Sequence, residues 1–429
     1  MTPSIPRDPE LAPSTAPDPL SREPLVYVTG NLEHFSFIDA LRGLAFLLVI
    51  ACHTADLAGV HEGTLLGAII TLGRAGVQLF YVISAFTLIH SIHSRRRSEA
   101  RPTLNFFIRR FFRIAPLFWT MIFFYSWFDA RRYFLLQAWA PGGIHWQHVL
   151  MTIFMVHAWY PTTINSVVPG GWSVGVEMSF YLLVPFLVAH LRNWMHAAWA
   201  IVGSLLLSAC LIVIVEKLFF LHGAGPLFSP YRSNALAARF LTFWLPSQLP
   251  VFLTGFLLYF LCVGDPAIVK SGINPAGQPK ALCFLILGLV VLAVNCLIPA
   301  NVLLPPPFIF GLGFAMIVRA LAIYPWKVVV NPVFCYIGKI SYSCYLLHVF
   351  VVYVVMRYPL HRVGPLLLGS SHFFPTAGAL LLLLLCYGVG VGLTLAMAHF
   401  SFRYVEQPGM LLGKRLIAML NKRISPARA

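Results

Sequence analysis

The chain has 429 residues, of which 59% are hydrophobic and only 10% charged, with 30 basic residues against 14 acidic ones. A water-soluble protein of this length needs far more charge to cover its surface, so the composition excludes a soluble globular domain. The formal charge of +16 invites a nucleic-acid reading, but the basic residues form no polar domain. They collect at the ends of apolar runs, the pattern of a polytopic membrane protein with no nucleic-acid partner.

Residues 1–34 hold seven prolines between Pro3 and Pro24, which predicts a disordered leader. No apolar stretch precedes a small-residue cleavage site there, so the first span is expected to be its own insertion signal. That span, FIDALRGLAFLLVIACHTADL (37–57), places Arg42 and His53 eleven positions apart. At about 100° per residue both leave the helix on one face, about 16 Å apart along its axis. Asp39 and Asp56 fall in the same arc, and Phe46 and Val49 fill the stripe between. Ionisable groups at membrane depth are costly and are commonly functional. The plainer reading has Arg42 snorkelling or pairing with Asp39 at i, i+3, and His53 hydrogen-bonded within the helix.

Apolar runs long enough to cross a bilayer recur at 75–93, 107–128, 172–190, 197–220, 240–263, 281–299, 307–323, 336–356 and 376–400. With the first span they predict an all-α, polytopic integral membrane protein of about ten transmembrane helices. The run 149–160 is shorter and stops at Pro161, so it is expected to be re-entrant or interfacial. With the N-terminus inside, RRRSEARP (95–102), Arg109, Arg110, Arg113, Arg192, Lys270, Lys280, Lys327, Lys339 and the tail all fall on the cytoplasmic side, as the positive-inside rule asks. Both termini are then cytoplasmic, Arg42 lies near the inner end of its span and His53 near the outer end. Trp139, Trp146, Trp159, Tyr160, Trp172 and Tyr181 suit headgroup-level belts.

Along this frame, Arg110 and Arg113 form an Arg-x-x-Arg at the cytoplasmic end of the third span, a spacing that suits phosphate groups and equally suits the positive-inside rule alone. Ser173 and Glu177 share a face at the start of the next span, expected close to the outer surface, and a carboxylate there needs a partner. Tyr342, Tyr345 and His348 lie on one helix, as a core hydrogen-bonding cluster or as part of a site. Glu406 is expected to pair with Arg403 within its helix. The loop 222–239, with Tyr231, Arg232 and Asn234, is a candidate acceptor surface by position. His145, His148 and His157 have no carboxylate or cysteine at ligand spacing, so no metal is expected. The eight cysteines, without a CxxC, are expected to be buried, reduced and structural. The segment MLLGKRLIAMLNKRI (410–424) reads as a basic amphipathic anchor on the inner leaflet. The domain reading is therefore a leader at 1–34, a membrane domain at 35–408 and a basic tail at 409–429.

Six motifs in order give the chain a family resemblance: Asp39-x-x-Arg42-Gly43 with His53, GRAGVQLFYVISAFTL (73–88), RRFFRIAPLFW (109–119), GGWSVGVEMSFYLLVP (170–185), IGKISYSCYLLH (337–348) and FRYVEQP (402–408). The sequence resembles the acyltransferase-3 family of integral membrane acyltransferases from about residue 35 to 408. Tyr81 and Ala85 stand where the family more often has Phe and Gly, and Gly175 where Ser is usual. The resemblance implies an enzyme that moves an acyl group, commonly acetyl, from acyl-coenzyme A to a hydroxyl of a surface polysaccharide, lipopolysaccharide or similar glycan. It implies acyl-coenzyme A as co-substrate, no permanently bound cofactor, and a multi-pass place in the cell membrane.

The residues suit that chemistry. A hydroxyl is a poor nucleophile until its proton is removed, and histidine titrates near neutrality, so His53 is the natural general base. Asp56, one turn on, orients the His53 ring or holds its imidazolium, or else only marks the outer end of the span. Arg42, Arg110 and Arg113 are the donor-binding candidates. Glu177 has three uses open to it: a bond to the acceptor, support for His53, or a tie to a neighbouring helix. Trp172, Ser173, Tyr345 and His348 complete the substrate-binding candidates. Two rivals remain, a small-molecule acceptor such as a macrolide, and a proton-coupled transporter that uses His53, Asp56 and Glu177 as relays.

Overall fold

The computed structural model describes residues 36–58, 60, 67–96, 98–127, 139–140, 143–221, 234–263, 265, 275–297, 304–357 and 377–422. The Pro-rich leader and most of the 222–239 loop, Tyr231 and Arg232 included, lie outside them. Every regular element among the described residues is helical: α1 (Ser36–Leu57), α2 (Gly67–Arg74), α3 (Gly76–Arg95), α4 (Pro102–Trp127), α5 (Trp146–Ile153), α6 (Trp172–His190), α7 (Trp194–Leu221), α8 (Asn234–Phe243), α9 (Leu245–Val263), α10 (Gln278–Leu297), α11 (Pro306–Ile323), α12 (Pro332–Lys339), α13 (Ser341–Phe350), α14 (Ala377–Ser401) and α15 (Gln407–Lys422). Short 3-10 turns at His157–Trp159 and Pro275–Gly277 and π turns at Val351–Val355 and Phe402–Glu406 complete the list.

Eight helical stretches among the described residues are long and apolar enough to cross a membrane, and the bent pair α12–α13 makes nine. All ten apolar runs of the sequence are helical, so the difference from ten lies in α4. Its 26 residues would span about 39 Å, but Arg109, Arg110 and Arg113 leave it more polar than the others. The α5 helix is eight residues long and ends just before Met155, whose φ is +59°; at about 12 Å it is too short to cross a bilayer.

Burial divides the bundle into an inner set and a lipid-facing rim. The apolar windows of α1, α2–α3 and α8–α9 are 61%, 67% and 72% buried, whereas those of α7 and α10 are 17% and 22%. The outward side chains of α7 and α10 are mostly leucine, isoleucine and valine, with Trp194, Met195 and Trp199 at the start of α7, as expected where the surrounding solvent is hydrocarbon. All eight cysteines are free, but Cys210 and Cys283 lie exposed on this rim, which corrects the expectation that every one is buried. The two rim helices stay uncovered because lipid takes the place of a further layer of protein.

α1 is the central element, and α12 is pressed against its N-terminal half. A Cβ on Gly43 would lie 2.4 Å from the Phe334 carbonyl, and one on Gly338 only 1.8 Å from the Asp39 carbonyl. Small residues let two membrane helices meet backbone to backbone. Asn331 starts α12 by accepting hydrogen bonds from the Val333 and Phe334 amides, both at 3.0 Å. A 73° bend separates α12 from α13, which carries α13 across the middle of the bundle. Further out, Asp265 accepts from Lys280 and Arg319 at 2.7 Å each, tying the ends of α9, α10 and α11 together.

At the C-terminal end α14 and α15 run on as one apolar stretch, Leu380–Asn421. α15 docks on α4: a Cβ on Gly409 would meet Pro116 at 2.8 Å, and one on Gly413 would meet Phe112 at 2.8 Å. The first turns of the basic tail are therefore seated on protein. The π turn at 402–406 also reassigns Glu406, which accepts from Ser343 Oγ at 2.8 Å in a buried setting while Arg403 is exposed. The wider turn rotates Glu406 toward α13, away from the i, i+3 partner expected of a regular helix.

Candidate active site

Two clusters of polar side chains face each other within the bundle. The first lines a cavity bounded by α1, α3, α4, α6 and α13, whose walls carry Arg42, Ser84, Arg110, Arg113, Ser173, Glu177, Tyr181, Tyr342 and Tyr345. Arg42 thus meets Arg110 and Arg113, about 70 positions on in sequence, in one cavity. Arg42 donates to Asp39 at 3.1 Å and reaches Thr87 Oγ1 at 3.4 Å, so the i, i+3 ion pair exists beside the opening to the cavity. Arg110 lies 5.9 Å over both the Phe106 and Tyr181 rings, and its Nε has no hydrogen-bond partner. Three guanidinium groups around one carboxylate leave an excess of positive charge and of charged donors on one cavity.

That carboxylate is Glu177. Its Oε1 accepts from Ser84 Oγ at 2.5 Å and from Tyr181 at 2.6 Å, binding α6 to α3. Of its three possible uses the structure supplies the helix tie; Glu177 stands with the arginines and makes no hydrogen bond to His53. Ser173 and Glu177 share the cavity wall with the arginines. Residues 161–169 fold inward and are buried, so α6 begins inside the bundle. Asn165 Oδ1 accepts from the Gly170 amide at 2.8 Å, and Gly170 takes φ +77°, a conformation that glycine adopts without strain. Trp172 does not line the cavity: it is stacked on Phe243 at 4.3 Å and edge-on to Tyr81. It is a packing residue.

Gly175 also finds its reason here. A Cβ at that position would stand 3.0 Å from two atoms of the His157 ring and 2.8 Å from Ala158. His157, stacked on Phe118 at 5.6 Å and bonded through Nε2 to the Gly171 carbonyl at 2.9 Å, takes the space that a serine side chain would fill. His148 accepts from the His145 amide at 3.1 Å, a local cap. Among the described residues no group of three His, Cys, Asp or Glu could hold a metal ion.

The second cluster surrounds His53. Asp56 does not reach the His53 ring directly; Tyr353 stands between them. Tyr353 donates its hydroxyl proton to Asp56 Oδ2 at 2.7 Å, and the same oxygen lies 3.0 Å from His53 Nδ1. The phenol has one proton and the carboxylate accepts it, so Nδ1 must be the donor to the phenol oxygen. That leaves a lone pair on His53 Nε2, the tautomer a general base needs. Asp56 is thus linked to the His53 ring through a tyrosine. Helical spacing conceals Tyr353, because it lies within the π turn. On a regular helix, position 353 would stand about 140° from His348, and the wider turn removes most of that offset.

α13 connects the two clusters. Tyr345 donates to the Gly170 carbonyl at 3.0 Å and accepts from Ser173 Oγ at 2.8 Å. One turn on, His348 is 1% exposed, with its ring 5.5 Å from Tyr345 and 5.1 Å from His53. Arg42, Ser173 and Tyr345 therefore belong to the first cluster, His53 and Asp56 to the second, and His348 to the passage between. Ser84, Thr87 and Tyr353 are not singled out by the sequence, and Tyr181, expected at a headgroup belt, stands instead in the cavity wall. Ser84 and Thr87 had a signal, two polar residues three apart on an apolar helix.

A family model described as an acyltransferase domain matches residues 35–399. Acyltransferase MdmB of Streptomyces mycarofaciens is 31% identical over 153 residues, 34% of this chain and 38% of that protein. Exopolysaccharide production protein ExoZ of Rhizobium meliloti is 26% identical over 318 residues, 71% of this chain and 82% of that one. A Staphylococcus aureus protein provisionally named an O-acetyltransferase is 25% identical over 350 residues, 76% of this chain and 52% of its own length. The chain thus spans well under half of MdmB, about half of the staphylococcal protein and most of ExoZ. No solved structure matches.

Proposed function

This chain belongs to the acyltransferase-3 family of membrane enzymes that transfer acyl groups, and from that premise we propose that it carries an acyl group, of the acetyl type, from acyl-coenzyme A to a hydroxyl of a glycan. The coenzyme's phosphates bind at Arg42, Arg110 and Arg113, and its thioester arm runs past Ser173 and Tyr345 toward His53. His53 Nε2 takes the proton of the acceptor hydroxyl as its oxygen attacks the thioester carbonyl. The imidazolium that forms is held by Tyr353, whose own proton rests on Asp56.

The observation that supports this reading is the unbroken series Ser173, Tyr345, His348 and His53, which leads from the arginine-lined cavity to the imidazole. A proton-coupled transporter would have little use for three guanidinium groups converging on one cavity, whereas a polyphosphate donor accounts for them. A glycan acceptor is favoured over a small molecule by the similarity to ExoZ across most of both chains.

The test is the purified protein in detergent with radiolabelled acetyl-coenzyme A and two acceptors, an exopolysaccharide and a macrolide. Label should pass to the polysaccharide, and His53→Gln should abolish transfer while still binding the coenzyme. A wild-type protein that neither binds the coenzyme nor transfers the label refutes the reading; label on the macrolide alone would refute its acceptor.

A further inference from the structure

His348 has a place in the bundle that the reading above leaves unused. Its Nδ1 lies 2.5 Å from the Tyr345 carbonyl oxygen. A carbonyl only accepts, so Nδ1 carries the proton and Nε2 carries the lone pair. That Nε2 is buried and has no hydrogen-bond partner. A buried acceptor without a donor is costly and rare, and this one is in an imidazole 5.1 Å, centroid to centroid, from the candidate base His53. The same helix turn carries Tyr345, a wall of the donor cavity. The His348 ring, with its unpartnered acceptor, thus stands beside the base and one turn from the donor cavity.

We infer that His348 is the residue that returns the proton to the departing thiolate. The inference rests on the proposed acyl-coenzyme A donor. As the acceptor oxygen bonds to the carbonyl carbon, its proton goes to His53 Nε2. His53 passes that proton to His348 Nε2, directly or across one water. When the carbon–sulfur bond breaks, its electron pair leaves with sulfur, and His348 hands the proton to that sulfur. Hydroxyl and thioester have become ester and thiol, and both imidazoles are neutral again. The transfer matters because the sulfur departs inside a largely apolar bundle, where a thiolate is poorly solvated and its affinity for a proton is raised.

The experiment compares two donors on His348→Asn, whose amide nitrogen replaces the Nδ1 donor to the Tyr345 carbonyl and whose side chain offers no base. One donor is acetyl-coenzyme A. The other is its selenoester analogue, which binds through the same phosphates and whose selenolate departs without needing a proton. Turnover with acetyl-coenzyme A should fall about 10²–10⁴-fold, while turnover with the selenoester stays within about fivefold of wild type. His53→Gln should lose both. His348→Gln serves as a second variant, and unchanged affinity for desulfo-coenzyme A shows that the fold survives. Equal losses with the two donors, or unimpaired turnover with acetyl-coenzyme A, would overturn the inference. A wild-type protein that uses neither donor refutes the donor assignment instead, a result distinct from either.

Discussion

Replacing Tyr353 by Phe removes one oxygen atom and tests the link between His53 and Asp56. In the intact site that oxygen accepts from His53 Nδ1 at 3.0 Å and donates to Asp56 at 2.7 Å. When His53 takes a proton the first of these becomes a bond to a cation, and hydrogen bonds to charged groups contribute about 1.5–3 kcal/mol. At 1.36 kcal/mol per tenfold change in rate, kcat should fall about 10- to 150-fold. The Michaelis constant for the donor should hardly move, because the arginine cavity is untouched. Folding should suffer little, since Asp56 is exposed and water can replace the lost donor. Steady-state kinetics with radiolabelled acetyl-coenzyme A, together with a thermal unfolding curve in detergent, make the measurement. Asp56→Asn keeps an acceptor for the phenol and should cost less than Tyr353→Phe. If Tyr353→Phe keeps kcat within twofold of wild type while Asp56→Asn is severely impaired, the relay is wrong and Asp56 acts without the tyrosine.

Arg42→Ala should raise the Michaelis constant for acyl-coenzyme A by about 10- to 150-fold, the loss of one charge-assisted bond to phosphate, with a smaller effect on the acceptor; an unchanged constant counts against its donor role. Gly175→Ser should lower thermal stability by about 1–3 kcal/mol, because the new side chain meets Ala158 at 2.8 Å and the His157 ring at 3.0 Å. Combined with His157→Ala it should be better tolerated, and a Gly175→Ser protein as stable as wild type would dispose of that packing argument. A reporter fused after Ala429 should read cytoplasmic, as the distribution of arginine and lysine requires; an external signal would invert the orientation.

Helical spacing made α1 legible: Arg42 and His53 do share one long helix, and Arg42 does pair with Asp39. The meeting of Arg42 with Arg110 and Arg113 was open to chemistry but not to periodicity, since it depends on how α1, α4 and α6 cross. The errors have physical causes. Glu406 and Tyr353 both lie in π turns, where a 3.6-residue rule points a side chain the wrong way. Trp172 reads as an interfacial aromatic because it precedes an apolar run, yet the inward fold of residues 161–169 buries it against Phe243. α4 is long enough to span, and of its arginines Arg110 and Arg113 belong to the cavity wall while Arg109 pairs with Glu99.

α1 runs from Ser36 to Leu57 without a break, and the backbone of α12 is wedged against it at Gly43 and Gly338. A strut of this kind holds Arg42 and His53 at a constant separation, so the α1 members of the two clusters do not approach each other by a hinge within this helix. On the reading proposed above, the roughly three turns of α1 between Arg42 and His53 are covered by the donor arm or by a passed proton, and not by bending of this helix.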